Sequence, residues 1–93
     1  MIDFEWDEIK AEKNRRKHSV SFYEATSIFA DELSVTFPDP EHSVEEDRFI
    51  IIGYSANSSI LVVSHTYRLN CIRIISARKA TKREIQYYEQ IKN

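Results

Sequence analysis

Basic side chains gather between residues 73 and 83, and they are the residue types best suited to act on a polyanion. The cluster comprises Arg73, Arg78, Lys79, Lys82 and Arg83, and two further arginines, Arg48 and Arg68, lie on neighbouring predicted strands. Guanidinium and ammonium groups neutralise phosphates, and a positive patch attracts nucleic acid whatever the total charge of the protein. The sequence therefore predicts a phosphate-binding surface.

Two placements within this cluster are informative. Arg73 interrupts the apolar run of residues 71–75, where a charge is costly unless it faces an open sheet surface or is paired. Lys82 and Arg83 stand in the first turn of the last predicted helix, where cations oppose the helix macrodipole. Either that helix start seats a phosphate on its free N–H groups, or Glu84 and acids from the N-terminal half pair with the bases.

His65 is the candidate for proton transfer, because an imidazole titrates near neutral pH. The alternative is a hydrogen-bonded structural histidine at the end of its strand. Its position relative to the arginines depends on the hairpin that follows. A two-residue turn would place His65 on the face of Arg78, and a three-residue loop would place it on the face of Arg73.

Several classes of function lack support. One cysteine, Cys71, allows no internal disulfide, and three widely separated histidines match no zinc-ligand spacing. With a single glycine the sequence has no glycine-rich phosphate loop. No metal or cofactor is expected. The 93 residues predict one domain spanning 1–93, and the absence of a signal peptide or a long apolar run predicts a cytoplasmic protein without membrane contact.

The charges divide sharply along the chain. Residues 1–47 carry 13 acids and 5 bases, residues 48–93 carry 8 bases and 2 acids, and the formal net charge is −2. The two halves either form opposite poles of the folded domain, which leaves a basic surface for phosphates, or fold against one another and neutralise in place.

Apolar periodicity, capping residues and turns predict an α+β domain of order β-α-α-β-β-β-β-α, with two N-terminal helices and a C-terminal helix packed on a mostly antiparallel sheet. Helices are predicted at residues 8–17, 22–30 and 82–91, and strands at residues 4–6, 33–37, 48–54, 59–67 and 71–77. The first helix should lie on the surface, with only Ile9 and Ala11 as apolar contacts. Ile85, Tyr88 and Ile91 should face the sheet from the last helix.

Several segments together resemble the BrnT-type toxins of bacterial type II toxin-antitoxin modules, in order and over nearly the whole chain. The most specific are RKHSVSFYEA at residues 16–25 and RIISARKAT at residues 73–81. The others are FEWD at 4–7, FAD at 29–31, FPDP at 37–40, RFI at 48–50 and LVVSHT at 61–66. The family has a glycine after the KH pair, and Ser19 stands there in this sequence, which leaves open whether a left-handed helix C-cap forms.

The resemblance implies a RelE-like fold and cleavage of cellular RNA by the free protein. It also implies silencing by a ribbon-helix-helix (BrnA-type) antitoxin that binds operator DNA, so that the toxin would meet DNA only through its antitoxin.

Two functional hypotheses follow. In the first, the protein is a metal-independent endoribonuclease: Arg73 and Arg78 stabilise the phosphate, and His65 serves as acid or base. The residues that would bind RNA are Arg48, Lys79, Lys82 and Arg83. This interpretation fails if Arg73 and Arg78 are locked in carboxylate contacts and are remote from His65 and from any accessible groove. In the second, the protein is a non-catalytic module that binds its antitoxin and acts as transcriptional co-repressor.

Overall fold

One five-stranded sheet organises the part of the chain that the computed structural model describes, residues 2–92. Its strands are β1 (Asp3–Glu5), β2 (Val35–Pro38), β3 (Arg48–Tyr54), β4 (Ile60–Arg68) and β5 (Cys71–Lys79). They lie in the order β1-β5-β4-β3-β2. β1 runs parallel to β5, and the other neighbours are antiparallel. The predicted α+β class and element order are confirmed.

Three α-helices accompany the sheet over the same residues. They are α1 (Glu8–His18), α2 (Phe22–Ser27) and α3 (Lys82–Lys92). A 3₁₀ turn at Ile28–Ala30 continues α2, so the helix predicted to residue 30 narrows in its last turn, and a second 3₁₀ turn occupies Pro40–His42. None of these helices is both long and apolar enough to cross a membrane.

Side-chain caps fix where the helices begin. The Asp7 carboxylate accepts the N–H of Ile9 at 2.9 Å at the start of α1. At the start of α3 the predicted capping box is complete: the Glu84 N–H donates to Thr81 Oγ1, and the Thr81 N–H donates to Glu84 Oε1. These bonds satisfy donors that a helix start otherwise leaves free.

The two faces of the sheet are covered to different extents. α1 and α2 cover one face, here called the covered face, whose buried core comprises Val20, Phe22, Ala25, Ile28, Ile51, Leu61, Val63, Ile72, Ile74 and Ala77. On the other side α3 packs through the buried Tyr88 onto a smaller cluster, formed by Ile52 and Val62 with the partly buried Phe37, Ile50, Ile60 and Ala80. Ile85 is half-buried, whereas Ile91 is 48% exposed and is not part of the cluster around Tyr88.

Asn14 anchors α1 through its side-chain amide, which the spacing of residues did not predict. Its amide nitrogen donates to the carbonyls of Val20 and Ala77, and its amide oxygen accepts the N–H of Ala77 at 3.1 Å. β1 pairs only with residues 71–73, so the amide supplies Ala77 with the bonds of a missing strand neighbour. Ile9, expected as an apolar contact, is 69% exposed.

Ser19 takes the left-handed conformation in place of a glycine. Its φ is 58° and its N–H donates to the carbonyl of Arg15 at 2.9 Å, which closes α1 with an αL cap. The turn therefore forms without glycine, at the steric cost that a Cβ brings in this region.

Candidate functional site

Beyond α3 a row of polar side chains crosses the sheet. Strand register aligns Glu5 with Arg73, Arg73 with Thr66, and Thr66 with Arg48, and partners in register share a face. We call this surface the open face, formed by Glu5, Arg48, Ser64, Thr66, Arg73 and Ser76. Strands lie about 4.8 Å apart, so the two arginines of the row start about 10 Å from one another.

Arg73 is held by a carboxylate on the edge strand. Its Nη1 donates to Glu5 Oε2 at 2.9 Å, and the side chains of Arg73 and Glu5 are 28% and 37% exposed. The pair resolves the cost of placing a charge in an apolar strand, because the guanidinium faces a surface and also has a partner. The sequence required that Arg73 either face an open sheet surface or have a partner, and Arg73 does both.

Arg78 lies where the open face meets α3. Its Nη1 and Nη2 donate to the two oxygens of Glu84 at 2.7 and 2.9 Å, a bidentate pair. Hydrogen bonds from Arg78, opposed by burial and aided by Thr81, lower the pKa of Glu84 to about 2. The sequence left two alternatives for the start of α3, a bound phosphate or a Glu84 ion pair. The structure has the Glu84 ion pair there.

Arg48 forms no ion pair within residues 2–92, unlike the other two arginines of the surface. It also lines a cleft of the acidic loop with Glu41, His42 and Glu46. Thr66 beside it is buried and donates its hydroxyl to the carbonyl of Asp47 at 2.6 Å, which fixes the start of β3. Arg48 is thus the free cation of the row.

A β-bulge decides which side chains share a face. β4 and β5 are joined by a two-residue turn, and the register shifts by one residue between Ser64 and His65. Beyond the shift Arg78 pairs with Val62 and so lies on the side of Arg73, not of His65. The prediction that a two-residue turn would unite His65 and Arg78 is wrong for this reason.

His65 lies inside the covered face. It is fully buried, with its ring 4.9 Å from that of Phe29, 5.4 Å from Tyr67 and 6.1 Å from Phe49 between centroids. Its Nδ1 lies 3.4 Å from the carbonyl of Val63, and its Nε2 has no hydrogen-bond partner among the described residues. Burial lowers the pKa of His65. The expectation that His65 shares one face of the sheet with Arg73 or Arg78 is therefore wrong.

The remaining predicted RNA contacts are scattered. Lys79 pairs with Leu61 and so belongs to the covered face, at the exposed end of β5. Lys82 and Arg83 are exposed in the first turn of α3, and Arg83 lines a groove with Phe37 and Tyr87. The structure brings Arg48, Arg73 and Arg78 to one side of the sheet, and it does not bring Lys79 there.

The two charge halves neutralise one another in part. Arg73 pairs with Glu5 and Arg68 lies 3.6 Å from Glu46, so two bases of the second half meet acids of the first. Sequence reasoning missed Glu5 as a member of the surface. Its place in FEWD gave no signal, since only the parallel pairing of β1 with β5 sets it opposite Arg73.

Comparison with solved structures supports the fold class, a small α+β domain. The chain is similar to the crystal structure of the Brucella abortus ribonuclease toxin BrnT, with a TM-score of 0.70 and 24% identity, over 88% of this chain and 100% of that one. At this identity the likeness shows the fold alone. The sequence matches no curated protein significantly.

The family follows from the sequence itself. The model of the family described as "Ribonuclease toxin, BrnT, of type II toxin-antitoxin system" matches residues 6–84. The chain belongs to this family, and the resemblance drawn from its segments is confirmed. Membership implies an RNA substrate and an antitoxin partner at the level of the family.

Proposed function

We propose that this toxin is a metal-independent endoribonuclease whose RNA substrate lies on the open face. The observation that carries the proposal is the row of Glu5, Arg73, Thr66 and Arg48, which crosses four strands and whose charged members are partly exposed. Family membership supplies the ribonuclease class. RNA cleavage needs cations that bind a phosphate and an adjacent group that exchanges protons. In this row Arg73 and Arg48 are the cations, and the Glu5 carboxylate is the adjacent group.

RNA carries its own nucleophile, so its cleavage does not require a metal. The 2′-hydroxyl attacks the adjacent phosphorus, and the protein positions the strand and stabilises the added negative charge. In this proposal Arg73 binds the scissile phosphate, and Arg48 binds a neighbouring one about two strand spacings away. Arg78 contributes positive charge at the border with α3. Lys82 and Arg83 guide the RNA backbone toward the open face from their exposed positions on α3.

The ion pairs do not close the surface. Arg73 and Arg78 are in carboxylate contacts and lie on the face opposite His65. Both side chains are nevertheless partly exposed to solvent, at 28% and 41%. An exposed ion pair contributes about 0–1 kcal/mol, so a phosphate with several acceptor oxygens can replace a carboxylate there. The surface therefore remains accessible to RNA.

A comparison of arginine variants tests the proposal. Arg73→Ala and Arg78→Ala are expressed in a bacterial host without antitoxin, beside the wild type, and growth and RNA integrity are followed. Arg16→Ala, an exposed arginine on α1, is the matched control. We expect loss of toxicity for Arg73→Ala, partial loss for Arg78→Ala and full toxicity for the control. Equal toxicity of all four proteins would defeat the assignment.

A second candidate function is favoured by the same ion pairs. If Glu5 and Glu84 are never displaced, the protein acts without catalysis, as an antitoxin-binding co-repressor. Purified toxin that leaves RNA intact in the presence and absence of a chelator, while its complex with antitoxin still shifts operator DNA, would establish this function and exclude the nuclease.

The antitoxin is proposed to be a ribbon-helix-helix protein that contacts operator DNA itself. The support is membership of a type II toxin family, together with exposed acids in the first half of the chain that suit a basic partner segment. The neighbouring reading frame gives the test. Co-expression of its product should restore growth, and a product of another fold class would contradict the proposal.

A further inference from the structure

The open face offers arginines for a phosphate but no histidine for a proton. His65 is buried on the other side, and His18 is the last residue of α1, one of the two helices on that side. His42 is exposed, yet its Nδ1 lies 2.9 Å from Asp39 Oδ2, and acids of the same loop surround it. His42 also stands in the 3₁₀ turn Pro40–His42, outside the strands that carry Glu5 and Arg73. The proton acceptor for a 2′-hydroxyl must therefore come from another residue type.

Two carboxylates touch the arginines, and they differ in what else holds them. Glu84 accepts two bonds from Arg78 and one from the N–H of Thr81, so its oxygens are committed to the pair and to the helix cap. Its lowered pKa, about 2, makes it a weak base. Glu5 has a single hydrogen bond with an arginine, to Arg73, and its side chain is more exposed than that of Glu84.

The position of Glu5 suits an attack on the phosphate that Arg73 binds. Glu5 ends β1, the outermost strand of the sheet, so a nucleic-acid strand meets no further protein strand on that side. The 2′-hydroxyl and the phosphorus that it attacks belong to the same nucleotide, so a base and a phosphate anchor must be neighbours, as Glu5 and Arg73 are at 2.9 Å.

The neighbouring thiol is not a rival for this role. Cys71 lies two residues before Arg73 on β5, next to Glu5. Burial, Glu5 and Asp3 together raise the pKa of the Cys71 thiol. The thiol therefore remains protonated at neutral pH and does not accept a proton from the substrate.

We propose that Glu5 is the general base of RNA cleavage and that Arg73 orients it, an inference that rests on the endoribonuclease function proposed above. Arg73 exchanges part of its contact with Glu5 for a non-bridging phosphate oxygen. Glu5 takes the proton of the 2′-hydroxyl, the O2′–P bond forms and the P–O5′ bond breaks. The O5′ leaving group takes a proton from water. The products are a 2′,3′-cyclic phosphate and a 5′-hydroxyl, and Glu5 returns its proton to solvent.

Glu5→Gln tests the assignment, because glutamine keeps the shape and a hydrogen-bond acceptor but cannot hold the proton. The purified full-length protein, free of antitoxin, is given a short RNA oligonucleotide, and kcat, KM and Tm are measured. We expect kcat to fall about 100-fold with KM unchanged or lower, since loss of a negative charge beside Arg73 does not weaken RNA binding. Glu5→Asp, which sets the carboxylate back by one methylene, should retain more activity than Glu5→Gln.

Asp3→Asn is the matched control. Asp3 lies on the same strand and the same face, two residues away, and it forms no ion pair with an arginine among residues 2–92. Its kcat should stay within about threefold of the wild type. A kcat of Glu5→Gln that equals or exceeds that of the wild type or of Glu5→Asp would overturn the assignment. So would a raised KM with unchanged kcat, which is the signature of a binding or structural role.

The failure of this inference differs from the failure of the proposed function. If the wild type and Glu5→Gln cleave RNA and Arg73→Ala does not, the open face is the site of cleavage but Glu5 is not the general base. If the wild type and Arg73→Ala leave the oligonucleotide equally intact, the endoribonuclease proposal itself fails.

Discussion

The two faces of the sheet differ in the side chains they carry and in how far helices cover them. The covered face buries apolar side chains under α1 and α2, and it holds the only histidine of the sheet within residues 2–92. The open face carries a polar row in which Arg73 and Glu5 are paired but partly exposed, and Arg48 forms no ion pair among residues 2–92. The same strand, β5, therefore contributes Ile74 to the core and Arg73 to the site. Alternation along a strand thus places apolar side chains in the core and polar side chains on the opposite face.

The largest expected change in stability comes from Asn14, which attaches α1 to the covered face. Asn14→Asp removes the donor to two buried carbonyls and buries a charge, so the free energy of unfolding should fall by about 3 kcal/mol. Urea denaturation at pH 7 measures it. Asn57→Asp, in an exposed turn, is the control and should change stability little. A loss below about 0.5 kcal/mol for Asn14→Asp would show that α1 is not attached through this amide.

The second effect is the pH dependence that His65 gives to stability. The unfolded chain protonates this imidazole near its ordinary pKa of 6.5, whereas burial lowers the pKa in the folded state. The contribution of His65 to stability is therefore complete above about pH 6.5 and is lost as the pH falls through the lowered folded-state pKa.

The expected slope is at most about 1.4 kcal/mol per pH unit. His65→Phe keeps an aromatic ring against Phe29 and should flatten the dependence of Tm on pH between pH 7 and 5. Tyr67→Phe, which alters a neighbour of the imidazole, should retain the wild-type slope. An unchanged slope in His65→Phe would mean that the covered face does not exclude the proton.

The third effect lies at the border of the open face. Glu84→Gln weakens the bidentate pair with Arg78 and the cap of α3, and should lower stability at pH 7 by about 1 kcal/mol. The folded-state pKa of Glu84 is depressed from 4.5 to about 2, so its contribution is present above pH 4.5 and is lost between these values. The free energies of unfolding of wild type and variant, measured by urea denaturation, should become equal by about pH 2. Glu89→Gln, exposed on the same helix, is the control.

The smallest effect concerns the cap of α1. Ser19 has a φ of 58°, so Ser19→Gly should relieve the clash of its Cβ and raise stability by about 0.5–1 kcal/mol. A Tm measurement detects this change. Ser43→Gly, at an ordinary negative φ, should lower the Tm, and a lower Tm for Ser19→Gly as well would show that the left-handed turn carries no strain.

The sequence was enough for the elements and for one residue of the candidate site, and the reasons are local. Asp7, Ser21 and Thr81 cap helices through contacts within three residues, which spacing reveals. Arg73 was recognisable because a charge in an apolar strand needs a surface. The face of Arg78 depended on a bulge, and the partner of Arg73 depended on a parallel pairing 68 residues away in sequence. Neither a single-residue slip nor a distant strand pairing leaves a periodic pattern.

RNA cleavage by His65→Phe and by Arg73→Ala, measured on purified protein against the wild type, tests most directly whether chemistry resides on the open face. His65→Phe should cleave within about threefold of the wild-type rate, and Arg73→Ala should lose about 100-fold while its Tm stays near that of the wild type. An inactive but folded His65→Phe beside an active Arg73→Ala would place the chemistry on the other side of the sheet and contradict the proposal.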